Sequence, residues 1–444
     1  MEDLEVRRFI SRFTDEFPAA LEQDTPLPLT STSRNISPEE VHGESLDLGL
    51  RLLTDREAPP LVASLLCHSA TSELLQNHLS PLHLPQPPED GGAPVLLEWA
   101  GLQRLLVNAL ISSALRWRGD VPALPAVPRP LVSAHAIRNS RRKMEDKHVV
   151  IPHFSQLFGL QDGVPRSYLA VFDGHGGVDS ASFAAVHLHV ALSRQTDLTS
   201  DPESAFKRAF NETDRLLQQR AQRERVRGGS TAVAALVQGQ RLLVAWLGDS
   251  QALLVRNGTE EEIMDPHKPD REDERRRIED LGGCVTFMGC WRVNGTYAVS
   301  RAFGDFDQRP YVSSEADCRS VELRGDEDFL LLACDGFFDV VKPAEVPGLV
   351  LEALRSPGPQ AETGPETGPE TGPETGPETG PDPHSDPHSD PEEAAVRAAQ
   401  FLVSRAKDSG SSDNITVLLL FLRSPRDILR DHAPLPVTTP LNPL

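Results

Sequence analysis

Hydrophobic and polar positions follow two different rhythms along this chain. Val6, Phe9, Ile10, Phe13 and Phe17 fall three or four residues apart, and Trp99, Leu102, Leu106, Leu110 and Leu115 keep nearly the same spacing, which is that of one face of an α-helix. Residues 1–120 therefore read as a helical N-terminal region with proline-rich gaps. From about 131 the rhythm shortens to apolar runs: "SYLAVFD", "TAVAALV", "RLLVAWLGDSQALLV", "FLLLACDG" and "NITVLLLFL". These are rich in Val, Leu and Phe and have the length of buried strands. Residues 202–223 and 270–281 return to helical spacing, so residues 131–423 predict a layered α/β domain with helices covering a sheet core. Between the two regions "VPALPAVPRP", residues 121–130, reads as an extended, stiff linker.

One segment inside the α/β part breaks the pattern. From Glu362 the tetrapeptide ETGP repeats in tandem and runs into an Asp-Pro-His-Ser repeat. Proline at every fourth position removes backbone donors, and almost nothing there is apolar, so about 357–391 reads as a disordered surface insertion. Asp382, Asp386 and Asp390 lack the alternating ligands and central glycine of an EF-hand loop. Residues 424–444 read as a flexible C-terminal tail.

Composition narrows the class. The 444 residues are 39% apolar and 25% charged, enough to bury a sizeable core. A net charge of -22 disfavours nucleic acid and anionic lipid and suits basic partner segments. Five cysteines without a CxxC pair suggest a reducing compartment, and neither a secretory signal nor an 18-residue apolar stretch is seen. The expected location is the cytoplasm, with the nucleus as a second site, and no membrane.

The chemistry begins with where the acids stand. Asp146, Asp173, Asp249, Asp335 and Asp413 each lie at or beside the end of an apolar run. Any one alone reads as a turn residue or helix cap. If the strands are neighbours, however, five converging carboxylates would repel one another unless cations sit among them. Oxygen ligands select magnesium or manganese, and the absence of CxxC and HExxH patterns disfavours zinc. The natural consequence is a two-metal site with one bridging carboxylate and a metal-activated water as nucleophile. No GxSxG elbow, GxxxxGK[ST] loop or complete GxGxxG occurs, which leaves esterase and nucleotide-binding readings without support.

Seven ordered segments between 141 and 417, "RRKMED", "VFDGHGG", "GGSTAV", "WLGDSQ", "RVNGTYAVSRAFGD", "ACDGFFDV" and "SSDNITV", resemble the PPM-type metal-dependent serine/threonine protein phosphatases. The resemblance implies two central, mostly antiparallel β-sheets flanked by α-helices, and hydrolysis of phosphoserine and phosphothreonine on proteins. It implies two Mn2+ or Mg2+ ions with a weaker third. Asp173 would bridge the two ions, and the carbonyl of Gly174 would also coordinate. Asp335 and Asp413 would complete the second ion's shell, and Glu145 and Asp146 would hold the neighbouring ion mainly through water. Asp249 and Asp339, with Asp335, would hold the third. Arg141 corresponds to the phosphate-binding arginine and His175 to the general acid that protonates the leaving oxygen.

Taken on their own, some of these residues have plainer readings. His175 between glycines is an ordinary turn histidine, Glu145 a solvated charge beside Lys143 and Lys147, and Asp339 a cap for a helix starting near Pro343. Arg142 adjoins Arg141 and could serve in its place. Ser230 and Thr231 read as structural, because a water nucleophile makes a covalent intermediate unnecessary, and Arg292, Arg301 and Asp305 as organisers of the loop bordering the site. "SAHAIRNSRRKMEDKHV", "FSQLFGL", "CWRVNG" and "APPLVASLLCHSA" are closest to family members acting on calcium/calmodulin-dependent protein kinases, which implies those kinases as substrates. Such members can carry a long polyacidic run where this chain has only "PPEDGG". Two rival readings are a non-catalytic scaffold, which intact metal ligands disfavour, and a partner-binding role for 1–120 toward kinase or cytoskeletal signalling complexes.

Overall fold

The computed structural model describes residues 2–29, 35–84, 95–356 and 390–432. Most of the repeat insertion lies outside these residues. The core is a sandwich of two five-stranded sheets in which every ladder is antiparallel. One sheet runs Asp317–Glu322, Arg241–Leu247, Ala232–Gln238, Arg166–Phe172, Lys147–Ile151 from edge to edge. The other runs Thr259–Glu261, Gln251–Arg256, Glu327–Ala333, Ile415–Phe421, Leu131–Ile137.

The unbroken apolar runs follow from burial on both faces of each sheet. Successive side chains on a strand point to opposite faces. Leu169 and Val171 meet Leu330, Leu332, Leu418 and Leu420 between the sheets. Tyr168, Ala170 and Phe172 of the same strand face outward into a second cluster with the helices. Leu331, Ala333, Val417 and Leu419 do likewise on the far side, under the helices Val346–Arg355 and Pro391–Asp408.

Four helices precede the sandwich: α1 (Glu2–Glu16), α2 (Val41–Thr54), α3 (Pro60–Gln76) and α4 (Trp99–Gly119). The periodic positions of α1 and α4 are buried as their spacing requires. α2 and α3 occupy what the sequence offered only as proline-rich gaps: Pro60 opens α3 at its first turn, where a missing N–H costs nothing. The cluster they form is continuous with the outer face of the first sheet, running from Val6 through Leu188 to Phe303. The seam is close-fitting: a Cβ on Gly43 of α2 would stand 2.5 Å from His187 Nδ1 in the Asp179–Ser193 helix. Arg220 pairs with Glu44 at 2.9 Å and Arg223 with Glu40 at 3.0 Å across it.

Residues 120–130 have neither helix nor strand. The span from 424, expected to be a flexible tail, begins with a helix. Pro425–Asp431 form a helix with Ile428 buried and Asp431 paired to Arg423, so the described structure continues to His432.

Candidate metal centre

The antiparallel order brings five acid-bearing strand ends to one end of the sandwich. Asp173 follows Arg166–Phe172 and Asp146 precedes its neighbour Lys147–Ile151 in one sheet. Asp335 follows Glu327–Ala333 and Asp413 shortly precedes its neighbour Ile415–Phe421 in the other. Asp249 sits in the turn that carries the chain from the first sheet to the second. Oxygen atoms of Asp146 and Asp173 and the sulfur of Cys334 lie within 4.8 Å of one another.

The electrostatics show what this arrangement costs without cations. Burial, then the charges of Asp335, Asp146 and Asp249, push the Asp173 carboxyl well above the usual carboxylate range. Burial, with Asp335 and Asp413 adding to it, raises Asp146 to about 6, although Thr416 donates its hydroxyl to Asp146 at 2.6 Å. Asp249 rises to about 7, from burial and then Asp335, and Asp335 itself is raised mainly by burial. Four acids that resist ionisation together in one cleft, all with hard oxygen donors, fit divalent cations of the magnesium and manganese kind. Gly174 completes the fit, because a Cβ there would stand 2.6 Å from the Glu145 carbonyl and close the cradle.

The remaining sequence candidates fall around this cluster. Arg141 is exposed and paired with Asp413. The backbone N–H of Glu145 donates to Asn414 Oδ1 at 2.8 Å. Asp339 is exposed at the end of the short Asp335–Phe338 helix, and the helical turn at Pro343 is capped by Lys342, so the capping reading of Asp339 does not hold. Its charge reaches Asp249 and Asp335. Ser230 and Thr231 are buried, and Thr231 N–H donates to the Asp173 carbonyl at 2.9 Å. Arg301 pairs with Glu274 at 2.7 Å and Asp317 at 3.0 Å, away from the cluster.

Three residues do more than their sequence context signals. Asn414 donates from Nδ2 to the carbonyls of Arg138 at 2.9 Å and Lys143 at 3.0 Å while accepting from Glu145, and so clamps the "RRKMED" loop to the second sheet. Its only sequence signal is its place beside Asp413 in "SSDNITV". Thr416, on the adjoining strand, holds Asp146. Asp305 is not merely a loop organiser: its Oδ2 lies 2.6 Å from His175 Nε2. Burial alone would lower the His175 pKa, but the hydrogen bond and charge of Asp305, with Asp249 and Glu145, raise it above its ordinary value. Tyr297 stands edge-on to the same imidazole, 6.2 Å between ring centres.

A carboxylate cleft suited to divalent ions, with an arginine on one side and an acid-tuned histidine on the other, defines a metal-dependent phosphoester hydrolase. Residues 131–415 match the family model described as protein phosphatase 2C. Human protein phosphatase 1F is 46% identical over 433 residues, covering 95% of this chain and 88% of that protein. Human protein phosphatase 1E is 43% identical over 90% of this chain and 48% of its own length. Among solved structures, a C. elegans sex determining protein aligns over 96% of this chain and 97% of its own with a TM-score of 0.70 at 23% identity. A serine-threonine phosphatase 2C from Toxoplasma gondii covers 67% of this chain and 96% of its own with a TM-score of 0.52 at 20% identity. The chain belongs to the protein phosphatase 2C family, also called PPM, and is a protein serine/threonine phosphatase.

Proposed function

We propose that the chain removes phosphate from phosphoserine and phosphothreonine at this carboxylate cleft, with two Mn2+ or Mg2+ ions and a weaker third. The observation that carries the reading is the convergence of Asp146, Asp173, Asp249 and Asp335 at one end of the sandwich, where burial first and neighbouring carboxylates second raise all four, a cost that divalent cations in the cleft would offset. Asp173, the Gly174 carbonyl, Asp335 and Asp413 would hold the ions directly, and Glu145 and Asp146 would do so mainly through water. Asp249 and Asp339 would serve the third. Once bound, such ions supply Lewis acidity that lowers the pKa of water and neutralises phosphate charge.

The chain's own groups do the rest. Arg141 offers a planar guanidinium for two phosphate oxygens, exchanging its pairing with Asp413 for the substrate. Asp305 holds Nε2 of His175, which leaves Nδ1 to give its proton to the departing serine or threonine oxygen. Phosphate release from a phosphothreonine peptide, with and without manganese, in the parent and in Asp173→Ala, tests the reading. Manganese-dependent turnover lost in the variant is the expected result, and a parent inactive with either metal would overturn it.

Calcium/calmodulin-dependent protein kinases are the substrates favoured by the "SAHAIRNSRRKMEDKHV", "FSQLFGL" and "CWRVNG" segments, in a cytoplasmic and nuclear setting suited to five unpaired cysteines. Faster dephosphorylation of such an autophosphorylated kinase than of an unrelated phosphoprotein checks this. Residues 1–120 serve as a surface for cytoskeletal signalling partners, which loss of co-precipitation on substituting the exposed Leu4 and Leu105 would show. Among the described residues no helix is long and apolar enough to cross a membrane.

A further inference from the structure

The histidine side of the cleft has a rim that the chemistry above does not use. Past the helix Pro202–Glu224 the chain turns through Arg225, a non-glycine residue at φ +59°, and runs by Arg227 into Gly228 and Gly229. These glycines lie directly on the catalytic turn. Gly229 pairs with His175 on one side and Gly304 on the other, and a Cβ on Gly228 would stand 2.2 Å from the His175 carbonyl. The Gly228 carbonyl accepts from the Ser180 hydroxyl at 3.1 Å and the Asp305 N–H at 3.2 Å. Arg227 is thus the residue next to a backbone pinned to both members of the His175–Asp305 pair.

Both arginines are exposed, and among the described residues neither makes an ion pair or hydrogen bond. Their neighbours differ. Arg220 and Arg223, one turn back, are spent on Glu40, Glu44 and Glu224. Of the nearby acids, Glu224 is held by those two arginines and Asp307 faces Tyr297 at 3.4 Å, while Asp179 is exposed on the same edge. Two unpartnered arginines are thus rooted beside the His175 turn in a chain whose net charge is -22. Charges further off than a Debye length, about 8–10 Å at physiological salt, scarcely reach a bound peptide, so the local sign outweighs the overall one.

We propose that Arg225 and Arg227 form a subsite for an acidic side chain of the substrate, within about three residues of the phosphorylated serine or threonine on the leaving-group side. Successive residues of an extended peptide advance about 3.3–3.6 Å, so side chains one to three positions along fall within the sweep of an arginine rooted beside His175. The proposal rests on the phosphatase reading above, with His175 at the leaving oxygen. It replaces the preference for basic segments that overall charge suggests. The plain competing explanation is that cations after a helix C-terminus merely complement its dipole.

Two phosphothreonine peptides, identical but for Asp and Glu against Ala on the flanks, separate these, with p-nitrophenyl phosphate as a substrate that has no flank. The parent is expected to favour the acidic peptide by about tenfold in kcat/KM at low ionic strength, and the advantage shrinks as salt is added. Arg225→Gln/Arg227→Gln brings the acidic peptide down to the neutral one and leaves p-nitrophenyl phosphate turnover unchanged. Arg225→Glu/Arg227→Glu inverts the order. Equal rates on the two peptides in the parent, or a preference surviving in the glutamine variant, would overturn the subsite. Absence of manganese-dependent p-nitrophenyl phosphate hydrolysis in the parent would instead remove the phosphatase reading on which it stands.

Discussion

His175 and Asp305, 130 residues apart in sequence, share a 2.6 Å hydrogen bond between Nε2 and Oδ2. Asp305 is fully buried, stands at φ +44°, and has no other partner for its second oxygen among the described residues. Its charge is therefore directed at one imidazole. The consequence is a histidine held in one orientation and kept protonated to higher pH than it would be alone, which is what a proton donor to an alkoxide needs.

Asp305→Asn keeps the shape and tolerates the left-handed backbone but removes the charge. Turnover of a phosphothreonine peptide should fall by roughly 10- to 100-fold, and by 10²- to 10⁴-fold in His175→Gln, whereas p-nitrophenyl phosphate, whose leaving group needs little protonation, should be much less affected. Asp305 raises the His175 pKa, so its loss moves the alkaline limb of the pH–rate profile to lower pH. Equal losses on both substrates with an unmoved profile would reduce Asp305 to a structural role.

The strand runs, the acids at their ends and the helices Glu2–Glu16 and Trp99–Gly119 were legible because each depends on local periodicity. The pairing of His175 with Asp305 was not: it comes from Gly229 bridging His175 and Gly304, a tertiary contact of glycines without a periodic signature. α2 and α3 escaped notice for a different reason. Ser64, Cys67, Thr71 and Gly49 are buried among apolar residues there, so the helical stripe is blurred by small and polar side chains. Asn414 was hidden because a clamp on a distant loop leaves no trace in its neighbours.

Removing the central carboxylate should strengthen the metal-free fold while abolishing catalysis. Asp173 has a folded pKa raised by burial and three acids, so it costs stability as pH rises above the ordinary carboxylate range. Asp173→Asn is expected to melt about 2–6 °C higher than the parent in chelator at pH 7.5. Manganese should raise the melting temperature of the parent and leave the variant nearly unchanged. A variant less stable than the metal-free parent would contradict the crowded-carboxylate account.

Asn414→Ala removes three hydrogen bonds to the Arg138–Glu145 loop, of 2.8, 2.9 and 3.0 Å. The loop backbone is left with partly buried groups to satisfy, at a cost of roughly 1–3 kcal/mol. Because Arg141, Glu145 and Asp146 all ride on that loop, the KM for a phosphopeptide and the manganese requirement should both rise. Denaturant unfolding and metal titration of activity would register the two effects separately, and a variant unchanged in both would show the clamp to be dispensable.

Acid should loosen the seam between the helical region and the sandwich before it touches the sheets. His187 and His189 of the Asp179–Ser193 helix are buried against α2, with His42 beside them, and Phe158 and Tyr168 each lie 6.0 Å from His189. Burial, then Arg194 and His68, lowers His42 to about 4; burial, then His42, lowers His189 to about 3; and burial, then Arg220, carries His187 well below its ordinary value. A histidine with a folded pKa below its unfolded value near 6.5 leaves stability intact above 6.5 and withdraws it as pH falls toward the folded pKa. The window here runs from about 6.5 down to 4 and 3. At pH 5.5 each such histidine removes about 1.4 kcal/mol, and the three together roughly 4 kcal/mol. Denaturant midpoints at pH 7.5 and 5.5 should therefore differ, and His189→Phe, which fits among the same rings and cannot take a proton, should narrow the difference by about a third. The raised carboxylates of the cleft work in the opposite direction, so the comparison belongs in saturating manganese, where they are held ionised. An equal drop in parent and variant would place the acid sensitivity elsewhere than at this seam.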